Sequence, residues 1–329
     1  MPKILIIRFS SIGDIVLTTP VIRAAKKQIE NAEVHLLTKK AFLPVVEANP
    51  YLDKIHVINS KVSEVMPDLK KENFDFVADL HNNLRSSRVK RGLRVESASF
   101  PKLNWEKWLL VNFKKNRMPD LHIVERYIYT LARFGVTADG EGLDYFIPDE
   151  EKVDLKKALP DSFQKGYLAW VIGGSYYTKM MPVDKVLSIA RKIKQPIVLL
   201  GGPEDRENGK EIRMRMGDQV YNACGEFSIN ASASLVEQAS AVITNDTGLM
   251  HVAAAFNRPV LSVWGNTTPD LGMYPYMPGK EGLSKIMQIE DLSCRPCSKL
   301  GHKKCPKKHF YCMRLLDEDV IAEWANQAF

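Results

Sequence analysis

Residues 241–265, AVITNDTGLMHVAAAFNRPVLSVWG, constrain the fold of this chain more than any other stretch. A β-rich run at 241–244 meets the turn Asn245-Asp246-Thr247-Gly248, and an apolar, Ala-rich helix follows to about residue 256. Asn257-Arg258-Pro259 breaks that helix, and 260–264 reads as the next buried strand. Such a β-turn-α-turn-β unit builds parallel sheets. In those sheets ligands sit beyond the carboxyl ends of the strands, where Asp246, Thr247 and Gly248 fall. Thr247 suits an N-cap, Gly248 lets a ligand approach the backbone, and the free first-turn N–H groups would face an anion such as phosphate. An ordinary capped helix without a ligand satisfies the same residues equally well. Asp-Thr-Gly also occurs in aspartic proteases, but those pair two such carboxylates, and this α/β setting holds one copy.

The rest of the chain repeats the pattern. Short apolar strands at 3–9, 33–38, 54–58 and 74–80 alternate with helices, the first of them at 15–29 with Pro20 inside it. A second series begins with strands at 167–172, 196–200 and 219–223 and runs into the opening stretch. This alternation predicts two doubly wound, Rossmann-like domains facing across a cleft. The first spans 1–155 and the second 156–315, with an acidic, Pro-bearing linker at 147–160. A basic insertion at 84–120 interrupts the first domain. A final helix, within 316–329, is placed as packing back on it.

At 329 residues the length suits two domains, and no run approaches the roughly 18 apolar residues of a spanning helix. The amino terminus enters a strand at once, which implies no signal peptide and a cytoplasmic location. The net charge of +7 is unevenly spread. Residues 84–126 hold eleven Lys/Arg against four Asp/Glu, and 295–314 hold seven against none, so each segment nets +7 and the remainder −7. Two basic segments on an otherwise acidic chain imply a polyanionic partner. Trp105, Trp108 and Phe113 lie within the first, a mixture suited to an anionic lipid surface. No nucleic-acid-binding motif accompanies the charge, so nucleic acid is not expected as a partner.

Three strand ends of the second half converge on one rim: Gly173-Gly174-Ser175 with Lys179, Gly201-Gly202 with Glu204, and Asp246-Thr247-Gly248. Glycines there permit close backbone approach, Lys179 can neutralise phosphate, and Glu204 can accept from ribose or sugar hydroxyls. Neither G-x-G-x-x-G nor the P-loop pattern occurs, so the chemistry is that of a nucleotide-diphosphate site of another kind. In the first half Asp14 follows the first strand, where a carboxylate serves either as general base or as helix cap. Cys294, Cys297, Cys305 and Cys312, with His302 and His309 between, have the count and residue types of a zinc knuckle. Reduced thiols packed in a basic loop are the other reading. Cys224 stands apart and is expected in the core.

RFSSIGDIVLTTPVIRAAKK, DLHNNLRSS, LLGGPED, ITNDTGLMHVAAA and CRPCSKLGHKKCPKKHFYCM, in that order, make the chain resemble glycosyltransferase family nine. These are the lipopolysaccharide heptosyltransferases, of the two-domain GT-B architecture. The resemblance implies inverting transfer of heptose from ADP-heptose to the inner core of lipopolysaccharide, with no cofactor or catalytic metal. It makes Asp14 the general base and Lys179 the ligand of the donor phosphates. Glu204 falls at the ribose position. Asp246, Thr247 and Gly248 match the pyrophosphate loop, with His251 a turn later and Ser175 on the same rim. The family often has Lys-x-Trp-Pro where this chain has Lys179-Met180-Met181-Pro182. The cationic first segment, represented by Arg85, Lys114, Lys115, Arg117 and Arg126, is assigned to the phosphorylated acceptor at the cytoplasmic face of the inner membrane. The rivals are a GT-B transferase or epimerase using another nucleotide sugar, and a catalytically silent nucleotide- or glycan-binding protein. The acceptor hydroxyl and the oligomeric state are not readable from sequence.

Overall fold

A computed structural model describes residues 1–328. The chain forms two compact units, each with its own sheet. The first comprises Met1–Leu103 and Leu121–Phe146; the second comprises Asn104–Asp120 and the chain from Ile147 onward.

The first unit holds β1 (Lys3–Ile7), β2 (Glu33–Lys39), β3 (Lys54–Ile58), β4 (Phe76–Asp79) and β5 (Glu96–Ser99), in the order β3-β2-β1-β4-β5. Every pairing is parallel. A parallel sheet is covered on both faces, which is why β1 reads as an unbroken apolar run and Ile4 to Ile7 are wholly buried. The helix expected at 15–29 is two helices, Ile12–Val16 and Thr19–Gln28, because Pro20 starts a helix well but cannot continue one.

In the second unit β6 (Leu168–Val171), β7 (Ile197–Leu200), β8 (Val220–Asn222), β9 (Ala241–Asn245), β10 (Val260–Trp264) and β11 (Ser284–Gln288) lie in the order β11-β10-β9-β6-β7-β8, again all parallel. Its core gathers Trp170, Leu199, Ile243 and Val263 from the strands with Phe310, Cys312 and Met313 from the C-terminal segment. Cys224 is buried there as expected, and its thiol is pushed up to about 12 by burial.

Three further sequence expectations change. Residues 147–155 fold with the second unit, since Glu151 accepts from Ser228 Oγ (2.6 Å) and Asn230 Nδ2 (2.9 Å). The insertion divides: 84–103 stays with the first unit and supplies β5, while 104–120 groups with the second, where Lys114 Nζ donates to the Pro296 carbonyl (2.6 Å). The final helix, Glu318–Gln327, packs on helix Val183–Ala190 of the second unit rather than on the first domain. Its Glu318 accepts from Lys185 at 3.0 Å, and Asp319 from Lys192 at 2.7 Å. The edge strand β11 extends the second sheet beyond the opening βαβ unit. No helix among the described residues is long and apolar enough to cross a membrane.

Candidate active site

Both sheets have a switch point, where the chain direction of winding reverses and the loops leaving two neighbouring strands part to opposite faces. In the first unit it lies between β1 and β4, in the second between β6 and β9. Crevices form at the carboxyl ends of such strand pairs. The helix that follows β1 carries Asp14, and the connections after β6 and β9 carry Gly173 to Ser175 and Asp246 to Gly248.

Asp14 sits in the first turn of helix Ile12–Val16. Its Oδ2 accepts from the Ser11 backbone N–H (3.1 Å) and hydroxyl (2.7 Å), so it does cap the helix. Its Oδ1 pairs with Arg8 Nη2 at 2.6 Å. Arg8 is itself fixed, its Nη1 donating to the Leu80 carbonyl (2.5 Å) and the Tyr127 hydroxyl (2.8 Å), and its Nε to the Ser10 carbonyl (2.9 Å). Burial pushes the Asp14 carboxyl up, but Arg8 and the Ser11 hydrogen bonds outweigh it and hold the group below the usual carboxylate range. Capping and ionisation therefore coexist at this residue. Sequence reasoning missed Arg8 and Tyr127, because they are 119 positions apart and only the fold joins them.

After β4, Asn83 caps helix Leu84–Leu93 by accepting from the Arg85 and Ser86 N–H groups at 2.9 and 3.0 Å. Arg85 is exposed there, and with Arg88, Lys61 and Lys70 it lines a pocket of about 430 Å³. The other acceptor candidates do not join it. Arg126 is only 3% exposed. Lys114, Lys115 and Arg117 are exposed but belong to the second unit, which corrects their placement on the first domain.

In the second unit Lys179 Nζ pairs with Asp246 Oδ2 at 2.6 Å and donates to the Asp246 carbonyl at 3.2 Å. Thr267, from the loop after β10, donates to the same Oδ2 at 2.9 Å. Thr247 is the N-cap of helix Gly248–Ala255, yet its hydroxyl lies against Thr244 Oγ1 (3.3 Å) and makes no capping bond. The N–H groups of that first turn are thus not closed off by a side chain. His251 is buried one turn on. Ser175 and Glu204 are exposed at the ends of their loops. Met181, where the family often has Trp, is buried in the core.

The glycines have a reason that the sequence did not disclose. A Cβ on Gly173 would come within 2.2 Å of Asp205 Oδ2, and one on Gly201 within 2.8 Å of it. Asp205 crosses the space between the two loops and accepts from the Gly202 N–H at 2.9 Å. Asn245 performs a similar task from β9: its Nδ2 donates to the Val171, Ile172 and Gly173 carbonyls at 3.3, 3.1 and 3.1 Å. Both residues bind the rim together. Asn266, 1% exposed beside Thr267, has neither side-chain amide atom hydrogen-bonded to protein.

The four clustered cysteines are all free. Cys294 Sγ lies 3.8 Å from His309 Nε2, while Cys312 packs into the core and its thiol is pushed up to about 12 by burial. Among the described residues, the trio with ligand atoms mutually within 4.8 Å is instead His35, His56 and Glu72. There His35 Nδ1 and His56 Nε2 are 3.0 Å apart, and Glu72 is taken up by Lys3 and Lys54.

With this geometry the chain joins a known class of transferases. The profile of glycosyltransferase family 9 (heptosyltransferase) matches residues 62–305, and the chain belongs to that family. Lipopolysaccharide heptosyltransferase 1 of Campylobacter coli is 24% identical over 99% of both chains. The solved family 9 glycosyl transferase from Veillonella parvula superposes with a TM-score of 0.77 at 20% identity, covering 99% of this chain and 97% of that one. E. coli heptosyltransferase WaaC, solved with ADP-2-deoxy-2-fluoro heptose, gives 0.68 at 17% identity over 99% and 100%.

Proposed function

We propose that this enzyme transfers a heptose from ADP-heptose to the inner core of lipopolysaccharide with inversion at the anomeric carbon. The first unit binds the acceptor and the second the donor. The observation that carries the reading is the placement of an ionised Asp14 at one switch point and of Lys179, with an uncapped helix N-terminus, at the other. The acceptor hydroxyl attacks the anomeric carbon while Asp14 takes its proton. The bond from that carbon to the ADP oxygen breaks in the same displacement. Lys179 and the first-turn N–H groups at Gly248 and Leu249 stabilise the charge that grows on the departing diphosphate. Glu204 accepts from the ribose, Thr267 and Asn266 serve the sugar hydroxyls, and the Arg85 pocket takes the acceptor's anionic groups.

No step is routed through a metal, and the cysteine loop is kept apart from the transfer as a structural element of reduced thiols. The Campylobacter coli relative is a lipopolysaccharide heptosyltransferase, and the E. coli heptosyltransferase was solved with an ADP-heptose analogue, which favours this donor over another nucleotide sugar. The purified enzyme with ADP-heptose and a core-truncated lipopolysaccharide tests the reading. Asp14→Asn should keep ADP affinity and lose on the order of 10²- to 10⁴-fold in turnover. A product of retained configuration, or consumption of a UDP-sugar in preference, would overturn it.

A further inference from the structure

We infer that helix Asn104–Phe113 and the basic segment 295–314 together form one docking surface for an anionic lipid bilayer, carried by the second unit. The two segments are far apart in sequence, and the fold joins them. Lys114 Nζ at the end of the helix donates to the Pro296 carbonyl across 182 positions. Leu110, Lys114 and Asn116 share the walls of a pocket of about 360 Å³ with Arg295 and Pro296.

The helix leaves large aromatic surface in water. Trp105, Trp108 and Phe113 are 61%, 45% and 56% exposed. The Trp105 and Trp108 rings stack 5.0 Å apart, and Phe113 meets Trp108 edge-on at 5.0 Å. A contiguous exposed aromatic cluster marks a contact surface. Indole rings beside lysines suit the headgroup boundary of a bilayer. Around it, 104–120 and 295–314 hold eleven Lys/Arg and two Asp/Glu, a net of +9. Lys299, Lys303, Lys304, Lys307 and Lys308 are all exposed.

Charge selects the occupant. A second copy would bring +9 against +9, whereas an anionic membrane surface is complementary. Trp105 and Trp108 cover one another's faces, which leaves them less suited to stacking nucleic-acid bases than to lying in a headgroup layer. The surface does not depend on which sugar the enzyme transfers.

The test is sedimentation of the full-length protein with vesicles of phosphatidylglycerol and phosphatidylethanolamine, against vesicles of phosphatidylcholine, at low and high salt. The wild type should bind the anionic vesicles and release them in high salt. Its Trp emission should shift to the blue and be quenched by brominated lipid. Trp105→Ser with Trp108→Ser should abolish binding. Lys303→Ala, Lys304→Ala and Lys307→Ala together should weaken it by roughly fivefold per charge removed. Both variants should keep the wild-type circular dichroism and transfer to a delipidated, water-soluble acceptor. Equal binding to neutral vesicles, no quenching of the wild type, or unchanged binding by the Trp variant overturns the inference. So does tighter binding of a DNA oligonucleotide, or a dimer that the Trp variant splits while lipid binding persists. Loss of sugar transfer with vesicle binding intact would count against the proposed reaction and leave this surface standing.

Discussion

Asp14 and Lys179 each meet an opposite charge inside the protein, and the two pairings have different consequences. At Asp14 the Arg8 guanidinium opposes burial and wins, so the carboxylate is ionised throughout the neutral range. Replacing Arg8 by Met leaves only the Ser11 hydrogen bonds to oppose burial, and the acid limb of the kcat profile should move upward. A limb that stays put would mean that Asp14 is not the titrating base. At Lys179 the partner is Asp246, itself on the rim, so a diphosphate competes with a carboxylate already in place. Lys179→Ala should still weaken ADP binding by at least about 1.5 kcal/mol in calorimetry, because a charge-assisted contact is lost. An unchanged affinity would return Lys179 to a purely internal ion pair.

The loops after β6 and β7 depend on glycine for a reason internal to the protein. Gly173→Ala drives a methyl group into Asp205, whose carboxyl is hemmed between two backbones, and should cost about 1–3 kcal/mol in urea unfolding. Gly173→Ala with Asp205→Ala should recover most of it; if it does not, the clash lies elsewhere. The positions of these glycines were legible in the sequence, and so was the βαβ unit around Asp246, because apolar runs and turn residues mark them locally. The packing of Gly173 against Asp205 was not, since it depends on a side chain some 30 residues away. The strand β5, Glu-Ser-Ala-Ser, carries no apolar pattern and lies at a sheet edge, and β11, Ser-Lys-Ile-Met-Gln, has only two apolar residues and is also at an edge. Edge strands need less apolar surface than central ones, so periodicity could not find them.

Across the whole molecule, acid should act first on the unit that holds Asp14. Burial holds His56 and His81 down to about 4, below their usual 6.5. The unfolded chain binds their protons and the folded one does not, so the stability they contribute is complete above pH 6.5 and lost as pH falls toward 4. Each accounts for on the order of 3 kcal/mol when the loss is complete. Melting temperature should fall over that window, and His56→Gln should flatten the fall; a melting temperature constant from pH 7 to about 4.5 would contradict it. The presence of two α/β units was readable from the alternation of strands and helices. Their partition was not, because the excursion 104–120 sits among first-unit residues in sequence and is claimed by a contact 182 positions away. That excursion also sets an order of events during synthesis. Most of the first unit's chain leaves the ribosome before Pro296 exists, so the Trp105 helix waits without its later neighbour. At about 5–20 residues per second the wait is on the order of ten to forty seconds. Through that interval the nascent chain displays an aromatic, cationic helix to whatever chaperone or membrane lies nearest the tunnel exit.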